Sequence, residues 1–310
     1  MNKKTLAPGV WPTMITLFDN NNKLDFKANA ALTDWLIRKG AHGIFAVCQS
    51  SEMFFLSQQE KTDLARCVLE AAQGRVPVIA SGHTSIKIGD QIEELGRISE
   101  TGVDAVVMVT NRLARKEEDK DAFLENMEHI LSALPDVNFG LYECPYPFLR
   151  LLSLEELKLI ADTGRILFLK DVSCNAAIQQ ERAAAVRGTS LGLYNANAET
   201  LFNSFPHGYV GYNGIMGNYH IDIYRWYYEN YRQHPELAAE VQEWICWAGN
   251  VHKGSYPVSA KYHLNLEGIP CSLRTRAKDP SVLTEDLKAE IRALHAEETK
   301  LRRRLGIVPA

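Results

Sequence analysis

An α/β fold, a (β/α)8 TIM barrel with a C-terminal helical extension, is what three features of this 310-residue chain predict. Short apolar, β-branched runs recur eight times, helical periodicities alternate with them, and the strand signal stops after residue 222. Alternating strands and helices imply parallel pairing through right-handed crossovers, and eight such strands suit a closed barrel. The expected division is a barrel over residues 1–222 and a helical extension over 223–310. A doubly wound open sheet is the main alternative. Such sheets usually carry a Gly-rich phosphate loop after the first strand, and "TLFDNNNKLDF" (16–26) is not one.

In chain order, the strand runs are "GVWPTMITLF" (9–18), "GIFAVC" (43–48), "VPVIAS" (76–81), "DAVVMVT" (104–110), "NFGLYE" (138–143), "ILFLK" (166–170), "LGLYN" (191–195) and "GYVGYNGIM" (208–216). Their continuous apolar character marks strands buried on both faces, as in a parallel sheet. Helical periodicity fills "DFKANAALTDWLIRKG" (25–40), "SQQEKTDLARCVLEAAQG" (57–74) and "KDAFLENMEHILSAL" (120–134). Ser57 is a candidate N-cap with Glu60 in the capping-box position, and Gly40 and Gly74 are candidate C-terminal stops. The extension carries "PELAAEVQEWICWAG" (235–249) and "LTEDLKAEIRALHAEETKLRRRLG" (283–306).

Composition narrows the partners. With 46% hydrophobic residues the chain can bury a large core, and a net charge of -4 offers no basic surplus for nucleic acid or anionic membranes. No apolar run approaches the length of a bilayer crossing, and no apolar signal segment follows the N-terminal lysines. Six cysteines (48, 67, 144, 174, 246, 271) lack paired spacing, so a cytoplasmic protein with free thiols is expected.

Chemistry in a barrel of this type sits at the C-terminal ends of the strands. The sixth run, within "ILFLKDVS" (166–173), drives four apolar residues into Lys170. Alone, a lysine there marks a return to solvent. Partly buried, its amine has a lowered pKa and can attack a carbonyl. Tyr142 ends the fifth run, and neighbouring strands about 4.8 Å apart bring it beside Lys170. A lysine imine serves as an electron sink when an adjacent carbon–carbon bond breaks, and a tyrosine can shuttle the protons if an ammonium and hydrogen bonds lower its pKa.

The stretches at 9–26, 43–61, 76–81 and 104–110, then "YECP" (142–145), "FLKD" (168–171) and "GYNGIMGN" (211–218), resemble in order and spacing the dihydrodipicolinate synthase and N-acetylneuraminate lyase superfamily. The resemblance covers about the whole chain. It implies a Schiff-base lysine at Lys170, a proton shuttle at Tyr142, a 2-oxo acid substrate of the pyruvate type, and a homotetramer. It also implies that the carboxylate is held by the loop after the second strand. There the family usually reads Gly, two residues from Ser and Thr, then Gly and Glu; this chain has Cys48, Gln49, Ser50, Ser51 and Glu52. Backbone N–H groups can hold an anion at such a loop, with Gln49, Ser50 and Ser51 as candidates.

Two departures bear on substrate. The arginine by which dihydrodipicolinate synthases engage an aldehyde is Pro147 here, and their tyrosine pair after the fourth strand is Arg112 and Leu113. That activity is therefore doubtful on sequence. Arg112 suits a distal carboxylate or phosphate. Asn195, Asn213 and Gly214 end the last two strands and are expected at the mouth. Cys48, Cys144 and Cys174 fall near it too, but small buried hydrophobes explain them without zinc, and no HExxH or paired CxxC spacing accompanies them. No metal or other cofactor is expected. The expected activity is carbon–carbon lyase chemistry on a 2-keto-3-deoxy sugar acid or a sialic-acid-like substrate. A dehydratase using the same imine, a metal-dependent aldolase, and a silent barrel that only binds a 2-oxo acid are the alternatives.

Overall fold

A computed structural model describes residues 5–308. Each of the eight apolar runs forms a strand, the sixth extended by one residue: β1 (Gly9–Val10), β2 (Ile44–Phe45), β3 (Val78–Ala80), β4 (Ala105–Val109), β5 (Phe139–Tyr142), β6 (Ile166–Asp171), β7 (Gly192–Asn195) and β8 (Gly211–Tyr212). They pair in parallel in the order β1-β8-β7-β6-β5-β4-β3-β2. A parallel bridge between Thr13 and Phe45 joins the two ends of that order. The Phe45 N–H donates to the Pro12 carbonyl at 3.1 Å and the Met14 N–H to the Phe45 carbonyl at 3.0 Å. The result is a (β/α)8 barrel.

Helices cover the outside: α1 (Phe26–Arg38), α2 (Gln58–Ala72), α3 (Ile88–Ser99), α4 (Thr110–Leu113), α5 (Lys120–Ala133), α6 (Leu154–Asp162), α7 (Ala176–Ala185), α8 (Leu201–His207) and α9 (Ile221–Asn230). The extension adds α10 (Pro235–Val251), α11 (Val258–Leu266) and α12 (Glu285–Arg304). Ser57 and Glu60 form the expected reciprocal capping box, and Ser153 with Glu156 forms a second at the start of α6. Helix α9 spans residue 222, and Tyr224 on it stacks on Tyr212 at 4.4 Å between ring centroids. A division at 222 therefore cuts a helix that packs on the barrel. Among the described residues, no helix is long and apolar enough to cross a membrane.

The barrel interior is filled with rings. Phe168 lies 6.1 Å from Trp11, 6.0 Å from Phe45 and 4.5 Å from Tyr194, centroid to centroid, and all four are fully buried. Side chains alternate along a strand, so Lys170, two residues after Phe168, also faces inward, above this aromatic floor. Its neighbours in sequence face the helices.

Candidate active site

Tyr142 and Lys170 are register partners at the ends of β5 and β6. The lysine Nζ sits 4.6 Å from the centre of the tyrosine ring and 6.0 Å from that of Phe45. Both side chains line a cavity of about 450 Å³ together with Gln49, Ser50, Phe54, Tyr146, Gly214 and Tyr256. Burial lowers the Lys170 pKa to about 8, against a small opposing pull from Cys48 and Cys144. Among the described residues, no carboxylate pairs with this amine. An unpaired buried amine is more readily neutral.

The phenol differs from expectation. Burial, together with Cys144 and Cys48, raises the Tyr142 pKa well above the ordinary tyrosine range rather than lowering it. Tyr142 is therefore a protonated donor, and its hydroxyl donates to Gln49 Oε1 at 3.1 Å. Cys144 Sγ reaches the same oxygen at 3.4 Å. Ser50 lies beside Thr13 (3.1 Å between hydroxyls) and Tyr256.

Of the remaining predicted residues only Gly214 lines the cavity. Ser51 is fully buried with its hydroxyl 2.6 Å from the carbonyls of both Met14 and Ala46, so it shapes the loop rather than facing a ligand. Asn195 is also fully buried. It accepts from Gln179 (3.2 Å) and the Asn197 N–H (2.7 Å), and donates to Thr200 and Ser204 (both 2.9 Å), which fixes the loop after β7. Asn213 donates to the Trp11 carbonyl at 2.9 Å. Gly214 does line the mouth, where a Cβ would meet the Tyr212 hydroxyl at 2.2 Å. Arg112 stands one ring back: its guanidinium lies 5.3 Å from the centre of Phe54, and Phe54 lines the cavity.

Several groups at the site carry no motif. Tyr256 and Ala277 reach the cavity from the helical extension. The Tyr-Pro step at 256–257, breaking two helical stretches, is the mark Tyr256 leaves in the sequence. Glu52 accepts from the Ala277 N–H (2.7 Å) and the Arg276 N–H (2.5 Å), so the loop after β2 holds the extension over the mouth. Asn111 donates to the carbonyls of Cys144 (2.7 Å), Tyr146 (3.1 Å) and Phe148 (2.6 Å), shaping the loop after β5.

Behind the pair lies a buried ionic clamp. Glu143 and Asp171 follow Tyr142 and Lys170 on the opposite strand face, and Arg182 from α7 holds both, at 2.7 and 2.9 Å from Glu143 and 2.8 Å from Asp171. Arg182 also donates to the Leu152 carbonyl (2.7 Å), while Glu143 accepts from the N–H groups of Leu152 (2.8 Å) and Val172 (3.1 Å). Tyr209 donates to Asp171 as well. Every lone pair so occupied fixes the ends of β5 and β6 against each other.

Comparison with known proteins finds relatives along nearly the whole chain. The sequence model of the Dihydrodipicolinate synthetase family matches residues 7–294. The 4-hydroxy-tetrahydrodipicolinate synthase of Brucella suis biovar 1 is 27% identical over 250 residues, covering 80% of this chain and 78% of that one. Its counterpart in Bacillus subtilis is 30% identical over 161 residues, 52% of this chain and 54% of that one. Among solved structures, a dihydrodipicolinate synthase of Bacillus anthracis superposes with a TM-score of 0.85 at 19% identity, covering 94% of this chain and 98% of that one. YagE of E. coli K12, a prophage protein of the dihydrodipicolinic acid synthase family in complex with pyruvate, gives 0.83 at 21% identity, covering 97% and 99%.

Proposed function

Because the chain belongs to the dihydrodipicolinate synthetase family, we propose that it is a class I lyase that cleaves, or in reverse condenses, a 2-oxo acid through an imine on Lys170. The observation that carries this reading is the burial of Lys170 in register with Tyr142, with a pKa of about 8. At pH 7 such an amine is about one-tenth neutral, where an ordinary lysine is neutral in fewer than about one molecule in a thousand. A related fold, YagE, holds pyruvate, which is the 2-oxo acid favoured here.

Neutral Lys170 attacks the C2 ketone, and the carbinolamine loses water to give the imine. Tyr142 supplies the proton for the departing hydroxyl and later takes one from the C4 hydroxyl. As that proton leaves, the C3–C4 bond breaks, an aldehyde departs and the electron pair rests on the enamine. Protonation at C3 and hydrolysis release the shortened 2-oxo acid. Gln49, its oxygen engaged by Tyr142, turns its amide N–H groups toward the substrate carboxylate, and Ser50 supplies a hydroxyl.

A 2-keto-3-deoxy sugar acid is the favoured substrate, since the cavity of about 450 Å³ exceeds the needs of pyruvate alone and its rim carries aromatic rings from Phe54 and Tyr146. A homotetramer is the expected assembly. The direct test is to incubate the protein with pyruvate, reduce with borohydride and map the adduct by mass spectrometry. The label belongs on Lys170. An adduct on another lysine, or none with any 2-oxo acid, overturns the reading.

A further inference from the structure

Three histidines meet in the interior, away from the catalytic mouth. His220 precedes α9, His252 caps the end of α10 and His263 lies on α11; all three are fully buried. Their ring centroids are 5.0 Å (His220–His263), 5.5 Å (His252–His263) and 6.2 Å (His220–His252) apart. One ring nitrogen from each lies within 4.8 Å of the others.

Their hydrogen bonds dictate which nitrogens are available. Glu298, from α12, lies 2.6 Å from His220 Nδ1 and 2.9 Å from His263 Nε2. Arg302 lies 2.6 Å from the same carboxylate. A carboxylate with an arginine on it is an acceptor, so both rings donate to it and carry their protons on the bonded nitrogens. Lone pairs are then left on His220 Nε2 and His263 Nδ1, and neither has a hydrogen-bond partner. Both nitrogens of His252 are also without one. A buried polar atom left unpaired costs free energy comparable to a lost hydrogen bond, and here four sit on three adjoining rings.

A carboxylate that orients adjoining histidines by one N–H and leaves the other ring nitrogen of each free is the arrangement by which proteins hold metal ions. The surrounding charge agrees. Glu298, Glu267 and Asp222 are three carboxylates, and the permanent cations paired with them are Arg302 and Lys39. His295 adds a titratable partner to Glu267 at 3.1 Å. The cluster has room for positive charge.

We propose that His220, His252 and His263 form a binding site for one first-row transition-metal ion of the Zn²⁺ class, with Glu298 as the orienting carboxylate. Neutral imidazoles suit Zn²⁺, Ni²⁺ and Cu²⁺ and disfavour Mg²⁺ and Ca²⁺, which seek oxygen. Zn–N bonds of about 2.0–2.1 Å at tetrahedral angles put donors about 3.4 Å apart, so the three rings draw together when the ion binds. A water or small anion completes the tetrahedron. The ion's role is structural: it ties α9, α10 and α11 into one unit at the base of the extension. It also bears on the mouth at one remove, because Asn218, two residues before His220, donates to the Tyr256 hydroxyl at 3.2 Å.

The test uses tag-free full-length protein, with its metal content measured by mass spectrometry after dialysis. About one Zn²⁺-class ion per chain is expected. After removal with a chelator, Co²⁺ should restore one equivalent with the intense ligand-field absorption of a four-coordinate nitrogen site, and should raise the unfolding temperature. His263→Gln should abolish that spectrum, and Glu298→Gln, which keeps the lone pairs but weakens their orientation, should loosen binding by roughly 10–100-fold. Wild-type protein that retains no ion and shows neither the Co²⁺ spectrum nor the thermal shift overturns the site and leaves a buried water as partner of the rings. A spectrum unchanged in His263→Gln also overturns it. If the variant fails to fold, the wild-type Co²⁺ spectrum decides. Borohydride trapping on Lys170 is independent of each result.

Discussion

Arg182 grips both oxygens of Glu143, at 2.7 and 2.9 Å, on the strand face opposite to the one that carries Tyr142. The same guanidinium holds Asp171, the residue after Lys170. A single buried cation thus sets the spacing of the two groups proposed to do the chemistry. Strand alternation makes this possible, since consecutive residues serve opposite faces.

Arg182→Met tests that clamp. It leaves two carboxylates, both fully buried, without their counter-ion, and breaking a buried pair by removing one partner costs about 3–5 kcal/mol. Urea unfolding should report a loss of that order. A loss below about 1 kcal/mol means that Glu143 and Asp171 do not depend on Arg182.

The amine at Lys170 has a definite pH signature. Its pKa is lowered from 10.5 to about 8 by burial, and only the neutral form attacks. The pyruvate trapping rate should therefore rise about tenfold from pH 6 to pH 7, bend near pH 8 and level off above it. A rate still climbing tenfold per unit at pH 9 indicates an amine that is not depressed.

Gly211 makes a prediction about barrel closure. A Cβ there would sit 2.1 Å from the Gly9 carbonyl oxygen on the paired strand. Gly211→Ala must push β1 and β8 apart and should cost about 3 kcal/mol or more, at the upper end of overpacking effects. Gly249 in α10 is the control, because nothing lies within 4 Å of a Cβ there. Gly249→Ala should stabilise by about 0.5–1 kcal/mol, the helical cost of glycine. Chemical denaturation of the pair reads both signs; two neutral results remove the close-approach argument.

These cases also mark what the sequence reveals. Seven strands lie inside apolar runs and β6 passes the end of its run by one residue, and the Ser57 capping box is local, because periodicity and capping are short-range signals. Lys170 and Tyr142 stand out in the sequence as candidates because each falls at or next to the end of its apolar run. Arg182 was not, since "AAIQQERAAA" (176–185) reads as an ordinary exposed helix. Ser51 and Asn195 looked like ligand groups, as polar residues at strand ends do, but their side chains serve the loops' own backbone and neighbours. The histidine cluster draws on segments 32 and 11 residues apart, with Glu298 from another helix, so no motif spacing could announce it.

Tyr142→Phe separates covalent capture from proton transfer. The nucleophile and its pocket remain, so pyruvate should still be trapped, more slowly. Turnover should drop by roughly 10²–10⁴, the usual worth of a positioned acid–base group. The loss should not recover at high pH, because the phenol removed is one that burial keeps protonated. Turnover within about threefold of wild type would assign proton transfer elsewhere, with Tyr256 on the cavity wall as the next group to remove.

The last prediction concerns the aldehyde partner. Relatives at 27% identity are named 4-hydroxy-tetrahydrodipicolinate synthases, yet this chain places Pro147 where those enzymes are expected to present an arginine, and proline offers no side-chain donor. Leu113, at one of the tyrosine-pair positions, is fully buried and apolar. Arg112, at the other, is committed to the ring of Phe54 at 5.3 Å, behind the cavity wall. Pro147 and Leu113 offer no side-chain group to recognise the polar end of aspartate semialdehyde or relay a proton, and Arg112 stands behind Phe54. Pyruvate and aspartate semialdehyde should therefore condense far below the ordinary enzyme range of roughly 1–1000 per second, while a panel of 2-keto-3-deoxy sugar acids should include one cleaved within it. In that cleavage Arg112→Ala should raise KM more than it lowers kcat if the acid's distal anion reaches past Phe54. Condensation at full enzyme rates would mean that recognition of the aldehyde does not need an arginine at position 147, and that the substrate assignment, though not the imine on Lys170, is wrong.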